Sequence, residues 1–519
     1  MPRIPPAPTS RPLAPPETRG RVSAKIHTKI RIGAALSLAL LVAACAVGPD
    51  YATPAFDLPN RWADQNGQNK EPAPPQLARW WERMRDPTLN ALMVEAVDGN
   101  LDVATAKARV REARATYRQQ VGALFPQVDF SASGTRGDNG SRVGSGGDIT
   151  VGGLYTQYDA AFDASWELDL FGANRRGAEA AGYASQSAED ELRATLLTLV
   201  GDVASNYASV RGYQARIALA QRTAATQRET AALTRTKQEA GAVSAVDVAN
   251  ATGLAASTEA NIPQLRAALA ESIHRLGVLT GQPPAALEGR LRRGGAIPNP
   301  RVNVAKGVPA DVLRNRPDVR QAERTLAQST ALIGQAEAAR YPAISITGNL
   351  NTSGTKVGDL VRGSAVSWSY GPALSVPVFT GGQLKAAVEV AQATRDQNFL
   401  AYHSSILTAL EEVENASVAF NQERLRASKL QQSASSYGDA ARLARALYQN
   451  GSTSFLEVLD AERSLYSAED TLLQSQVAIA TDYIALNKAL GGGWDGALDV
   501  TTPAVVDTNT GPHFMALQQ

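Results

Sequence analysis

Apolar residues between 182 and 241 follow a helical beat. Leu196, Val200, Val203, Tyr207, Val210 and Ile217 fall at the steps of a coiled-coil seam, and no proline interrupts the run. A helix of that length reaches about 85 Å at 1.5 Å per residue, far beyond a small domain, so it must lie along other helices. Residues 383–450 repeat the pattern through Phe399, Tyr402, Ile406, Ala409, Val413, Ala416 and Phe420. Both runs end at a glycine, Gly241 and Gly451, after which helical patterning resumes. Glycine there suits a left-handed cap and a tight reversal. Each half of the chain therefore predicts one very long antiparallel helical hairpin.

Ahead of each hairpin the period changes to two. Tyr158, Ala160, Phe162, Ala164, Trp166, Leu168 and Leu170 alternate with Asp159, Ala161, Asp163, Ser165, Glu167 and Asp169. Four carboxylates on one strand face cannot point into a dry core. An apolar outside with a hydrated inside is the pattern of a transmembrane β-barrel, which assigns Asp159, Asp163, Glu167 and Asp169 to the lumen. Val128, Phe130 and Ala132 form a shorter strand before it. Ile344, Ile346 and Leu350, then Val366, Trp368, Tyr370, Leu374, Val376 and Val378, form two more in the second half. A single wet-faced strand also fits the edge of a soluble sheet, but the recurrence favours the barrel. Four strands cannot close in lipid without leaving backbone groups unsatisfied, so the chain must oligomerise. Three copies give twelve strands; two give eight, with a bore filled by side chains.

The chain is a duplication. Asp102-Val103, Ala106 and Pro126 return at a constant offset as Asp318-Val319, Ala322 and Pro342. Around the turns, Gly241, Ser244, Asp247, Val248 and Ala251 match Gly451, Ser454, Glu457, Val458 and Ala461, and Gly281 matches Gly491. The first repeat spans 87–281, with a helix over 87–125 closed by Pro126, and the second spans 310–493. A Pro- and Gly-rich linker, 282–309, joins them. Residues 45–86 read as an ordered tether anchored by Trp80 and Trp81, and 494–519 as a C-terminal tail.

The charge balance, net +1 over 519 residues, gives no support for nucleic-acid binding. Four scattered histidines lack metal-ligand spacing, so no metal and no cofactor is expected. No nucleophile arrangement marks an enzyme. The glycine-rich 134–153 segment lacks the lysine of a phosphate loop and reads as a mobile external loop. Glu411, Glu412 and Glu414, near Tyr402 and His403, read as a solvated helix face. Cys45 is the single cysteine. Basic residues, an apolar run and Leu41-Val42-Ala43-Ala44-Cys45 match a bacterial lipobox. Residues 1–44 are then a signal peptide, and Cys45 becomes the acylated first residue, carrying diacylglycerol and palmitoyl lipid. Ala46 after it argues for outer-membrane sorting.

Several motifs together resemble one family, the TolC-like outer-membrane channel lipoproteins of tripartite efflux pumps (the OprM/NodT branch). They are Cys45-Ala46-Val47-Gly48-Pro49-Asp50-Tyr51, Trp80-Trp81 with Asp86-Pro87, Trp166-Glu167-Leu168-Asp169-Leu170-Phe171-Gly172, Arg316-Pro317-Asp318-Val319-Arg320, and Gly491-Gly492-Gly493-Trp494. The resemblance implies a mainly α fold with membrane β: a homotrimer with a twelve-stranded barrel continued by a coiled-coil α-barrel. It further implies a passive duct exporting small molecules, working with a periplasmic adaptor and an inner-membrane RND-type pump. Adaptor contact falls by resemblance on Gly241, Ala242, Val243 and Ser244, and on Gly451, Ser452, Thr453 and Ser454. Asp247, Glu457 and Asp460 are candidates for acidic rings at a periplasmic gate. A channel of the same fold for type I protein secretion is one rival. A periplasmic coiled-coil adaptor, which would lack four amphipathic strands, is another.

Overall fold

The computed structural model describes residues 46–62, 77–138, 140, 142–143, 149–150, 153–300, 309–310 and 315–504. They fall in two compact units that interleave along the chain. One is drawn from 1–49, 123–177 and 333–388, the other from 50–122, 178–332 and 389–519.

The first unit holds the strands. β1 (Gln127–Asp138), β2 (Arg142–Val143), β3 (Ile149–Thr150), β4 (Leu154–Leu168), β5 (Ala343–Gly354) and β6 (Val366–Ser375) follow in chain order. Among the described residues β2 pairs with β3 alone, while the other four form one antiparallel sheet in the order β1-β4-β5-β6. Its register keeps the two faces chemically separate. One row across the sheet is Phe130, Phe162, Leu350 and Trp368; the adjacent row is Asp129, Asp163, Asn349 and Ser369. Side chains alternate between faces along each strand, so the first row belongs to an apolar face and the second to a polar one. The large apolar residues of that face are exposed, Trp368 at 69% and Phe130 at 63%.

Three expectations for this unit need correction. The strand expected to reach Val378 ends at Ser375, so Val376 and Val378 lie past it, next to Pro377, which has no N–H to give a ladder. The segment 134–153 is not simply a loop, because β1 runs on to Asp138 and β2 pairs with β3. The glycines explain the extension: a Cβ on Gly134 would come within 3.2 Å of the Tyr158 ring, and one on Gly137 within 2.8 Å of the Tyr155 ring. Each glycine makes room for a cross-strand tyrosine. The strand expected over 158–170 begins earlier and ends at Leu168. Asp169 instead accepts from the backbone N–H groups of Asn174 (3.2 Å) and Arg175 (2.8 Å). It thereby satisfies two donors at the start of the following helix.

The second unit is built on helices: α1 (Pro87–Gly99), α2 (Leu101–Gly122), α3 (Ala173–Glu239), α4 (Ala245–Leu279), α5 (Glu288–Leu291), α6 (Pro317–Ala338), α7 (Gln383–Gln449) and α8 (Phe455–Ala489). The ends of α3, α6 and α7 extend into the first unit's segments. α3 and α7 have 67 residues each, about 100 Å of helix. The helix expected over 87–125 is two helices. Asn100 breaks it, its side-chain oxygen accepting from the N–H groups of Asp102 (2.9 Å) and Val103 (3.1 Å) while its amide donates to the Leu279 carbonyl (3.0 Å).

Leu196, Val200, Val203, Tyr207 and Val210 are buried, but Ile217 is only half-buried and the stripe passes to Leu219, Ala220 and Ala224. A straight α-helix drifts off a strict seven-residue repeat in this way. On α7, Tyr402, Ile406, Ala409, Val413 and Phe420 are buried, with Phe399 and Ala416 at the margin. The 80–81 tryptophan pair is fully enclosed. Trp80 donates to the Gly492 carbonyl (3.2 Å), Tyr483 donates to the Trp80 carbonyl (3.1 Å), and Trp81 stacks on Trp494. Arg316 reaches the carboxylates of Asp318 (2.6 Å) and Glu412 (2.5 Å) and the Ala489 carbonyl (3.2 Å). Burial works against the charged form of Asp318, but the Arg316 guanidinium outweighs it and holds this carboxyl below the ordinary range. Glu412 thus joins an ion-pair cluster while its side chain stays 49% exposed on the solvated face expected for it.

Two predictions follow from close contacts in this unit. Gly281 has φ +71°, and a Cβ there would lie 2.0 Å from the Gly99 carbonyl oxygen; Gly451 has φ +74° with open space around it. Gly281→Ala therefore unfolds or severely weakens the protein, whereas Gly451→Ala costs about 1–2 kcal/mol of left-handed strain, as thermal unfolding would show. Burial of Tyr207, reinforced by its hydrogen bond to Asp86, pushes its phenol from 10.0 up to about 12. The folded chain keeps this proton when the unfolded chain has released it. The Tyr207 contribution to stability is thus complete below pH 10 and is lost as the pH rises toward about 12. Denaturant midpoints measured on either side of pH 10 should fall less steeply in Tyr207→Phe than in the native chain.

Candidate functional site

The two helix reversals are built alike. Gly241 has φ +73° and Gly451 +74°, the left-handed conformation in which glycine avoids a Cβ clash. The N–H of Ala242 donates to the Lys237 carbonyl and that of Ser452 to the Leu447 carbonyl, both at 2.8 Å, closing the same helix-terminating motif. Ser244 then starts α4. It forms a reciprocal cap with Asp247, whose carboxylate accepts from the Ser244 N–H (3.0 Å) and hydroxyl (2.8 Å). Ser454 starts α8 without a side-chain cap bond, and the Thr453 hydroxyl donates to Glu457.

Of the eight expected tip residues, Gly241, Ala242, Ser244, Gly451, Ser452 and Ser454 are exposed and Val243 and Thr453 half-buried. Val243 packs against a small apolar cluster of Ala251, Tyr448, Phe455, Val458 and Leu459, which ties the first turn to the helices flanking the second. Lys237 adds a second tie, donating to the Tyr448 carbonyl with its ammonium 4.4 Å from the centre of the Tyr448 ring. The three candidate gate acids differ. Asp247 is engaged in its cap, Glu457 accepts from Thr453, and Asp460 is exposed on α8.

Sequence reasoning missed the ion pair behind this cluster. Glu462, only 3% exposed, receives Arg445 Nε at 2.8 Å and the Thr230 hydroxyl at 3.2 Å, joining α8, α7 and α3. Tyr448 donates to Thr234 at 3.1 Å in the same interior. The signal was present: Glu462 continues the helical stripe of Phe455, Val458 and Leu459, so a carboxylate occupies a seam position.

On the sheet, Asp159, Asp163 and Glu167 lie together on the polar face. Asp159 accepts from Gln157 (2.9 Å) and Asp163 from Asn349 (2.6 Å), while Glu167 stands opposite Ser345. Asp169, expected with them, lies past the strand at the head of α3. Cys45 is outside the described residues. Just after it, the N–H of Val47 donates to the Phe171 carbonyl (3.1 Å) and Arg176 donates to the Val47 carbonyl (3.2 Å).

A sheet with one exposed apolar face, in a chain that also carries long paired helices, fits a channel that meets lipid. The family described as Outer membrane efflux protein matches residues 92–282 and 308–492. The chain belongs to this family. Nodulation protein T of Rhizobium leguminosarum bv. trifolii is 35% identical over 458 residues, covering 88% of this chain and 96% of that protein. The toluene efflux pump outer membrane protein TtgC of Pseudomonas putida is 33% identical over 467 residues, covering 88% and 94%. Among solved structures, the outer-membrane channel OprN aligns with a TM-score of 0.80 at 34% identity, covering 87% of this chain and all of the other. The fold is TolC-like. The protein is an outer-membrane channel component extending into the periplasm, and it is not an enzyme.

The buried ion pair gives a test of how the tip is held. Arg445→Met leaves Glu462 buried with only Thr230 to bond it, and should lower stability by about 2–3 kcal/mol. Replacing both residues, Arg445→Met with Glu462→Leu, should restore most of it. A double-mutant cycle on thermal unfolding measures the coupling.

Proposed function

We propose that three copies of this chain form a passive duct that carries small molecules from the periplasm through the outer membrane to the exterior. The observation that carries the reading is the open four-stranded sheet. β1 and β6 are its edge strands, and its apolar residues face outward unburied. In lipid, an unpaired strand edge leaves every second backbone group without a partner, so the edges must meet those of other copies. Three copies bring twelve strands, an even number within the range of outer-membrane barrels. The polar row of Asp129, Asp163, Asn349 and Ser369 would then line the bore.

α7 supports lateral association independently of the sheet. Besides its buried seam it carries Leu400, Leu407, Val418, Leu425 and Leu443, all more than half exposed. Their intervals are close to whole numbers of helical turns, so they form a second apolar stripe along the helix. A neighbouring copy is a partner of matching length. The exported class follows the relatives, whose names cite toluene, solvent and antibiotic efflux. By the same likeness the protein works with a periplasmic adaptor and an inner-membrane RND-type pump. The adaptor would meet the chain at 241–244 and 451–454, with Glu457 and Asp460 as acids exposed near that entrance and Cys45 as the lipid-bearing residue.

Native mass of the complex extracted from the outer membrane in mild detergent tests this reading. The expected mass is that of three chains, each with one N-terminal lipid. A monomer would overturn the duct, and a dimer would leave eight strands and a bore too narrow for cargo.

A further inference from the structure

The distal rim of the sheet carries charge where the face below it carries none. The strands leave the helices at one end and reach their connecting segments at the other, 138–154 and 354–366, which an outer-membrane channel extending into the periplasm turns to the cell exterior. On the apolar face Arg136, paired with Thr156, lies two residues from the end of β1. It is exposed, and it makes no hydrogen bond or ion pair among the described residues. A guanidinium in mid-membrane is expensive, but within reach of the headgroup layer most of the penalty disappears. A single arginine at that height seeks an anion.

The segment joining β5 to β6 folds onto the same face. The Thr352 hydroxyl, in an apolar-face position beside Val366 and Ala160, donates to the Leu360 carbonyl at 2.9 Å. That segment exposes Val361 (88%) and Val357 (63%), with Lys356 and Arg362 also exposed at its two ends. Arg362 has one carboxylate neighbour, Asp359 at 3.2 Å, and its side chain is still 71% exposed. Tyr158, an aromatic with a polar tip, lies over Gly134 on the same face. Apolar side chains flanked by cations, on the lipid-facing side of a rim, complement a lipid whose headgroup carries phosphate.

We propose that Arg136, Lys356 and Arg362 form a binding site for the phosphorylated glycolipid headgroups of the outer leaflet, with Val357 and Val361 against the acyl chains. Guanidinium groups bind phosphate through paired, charge-assisted hydrogen bonds, and a bound lipid stabilises the folded barrel by mass action. The site needs only the outer-membrane placement, so its failure would be distinguishable from failure of the trimeric duct.

The full-length protein is reconstituted into vesicles of phosphatidylcholine alone, or with added bisphosphorylated lipid A, or with added phosphatidylglycerol. The readouts are the thermal midpoint and the glycolipid retained in native mass spectra. Lipid A should raise the midpoint by about 3 °C or more, and the Arg136→Gln/Lys356→Gln/Arg362→Gln variant should lose most of that rise and retain several-fold less glycolipid. In phosphatidylcholine alone the variant and the native chain should melt together, which separates lost binding from lost folding. An equal rise in the variant overturns the proposal. So does an equal rise with phosphatidylglycerol, or with inorganic phosphate added to phosphatidylcholine vesicles.

Discussion

A backbone amide cannot stay unpaired in hydrocarbon, and this requirement governs the chain more than any side-chain contact. Within one chain the sheet stops after four strands, with β1 and β6 each presenting an open ladder. The register does everything else a membrane sheet needs. Phe130, Phe162, Leu350 and Trp368 share one face, and Asp129, Asp163 and Asn349 the other. Slipping any strand by one residue would exchange its two sets, and in β1 or β4 it would bring carboxylates to the lipid. Faces and edges are thus fixed together.

The helical unit solves a different problem with the same economy of signals. A 67-residue helix has no core of its own, so it is held by seams. Alternate threes and fours were legible along Leu196–Val210 and Tyr402–Phe420, because burial on a coiled-coil seam depends on spacing alone. The reversals at Gly241 and Gly451 were legible for a similar reason. A left-handed residue followed by a serine that opens the next helix is a local device, complete within a few residues. The enclosed Trp80–Trp81 pair also matched its expected role as an anchor.

What was not legible depended on partners distant in sequence. Asn100 splits a helix because its amide also finds the Leu279 carbonyl, a contact no local pattern announces. β1 extends past Gly134 because Tyr155 and Tyr158 lie across from its glycines, so residues that read as loop are strand. Asp169 continues the alternation perfectly and yet leaves the strand, since the open N–H groups at the head of α3 compete for its carboxylate. Among the gate candidates, Asp247 has a local alternative of the same kind; for Glu462 the stripe position was legible, but its partner Arg445, on another helix, was not.

The helical interior itself is not uniform, and the way it changes separates the turns from the rest. The main apolar cluster runs through Tyr207, Val210, Phe420 and Ile479; a second gathers Tyr448, Phe455, Val458 and Leu459 beside the turns. Between them, apart from Leu219 and Leu265, the buried positions are small or polar, among them Ala220, Ala224, Gln227, Thr230, Thr234, Thr258, Ala434, Ala441, Glu462 and Ser475. Alanine and threonine bury little area, and Glu462 is kept only by Arg445 and Thr230. The Gln227 amide, 2% exposed, has no hydrogen-bond partner among the described residues. Such an interior contributes less to holding the helices together than the apolar lengths on either side. The turn cluster therefore has a cohesion partly its own, and a segment joined to its core through weak packing opens at lower free energy than the core does. Along the long helices the packing is thinner just behind the surface where the proposed duct would receive its cargo.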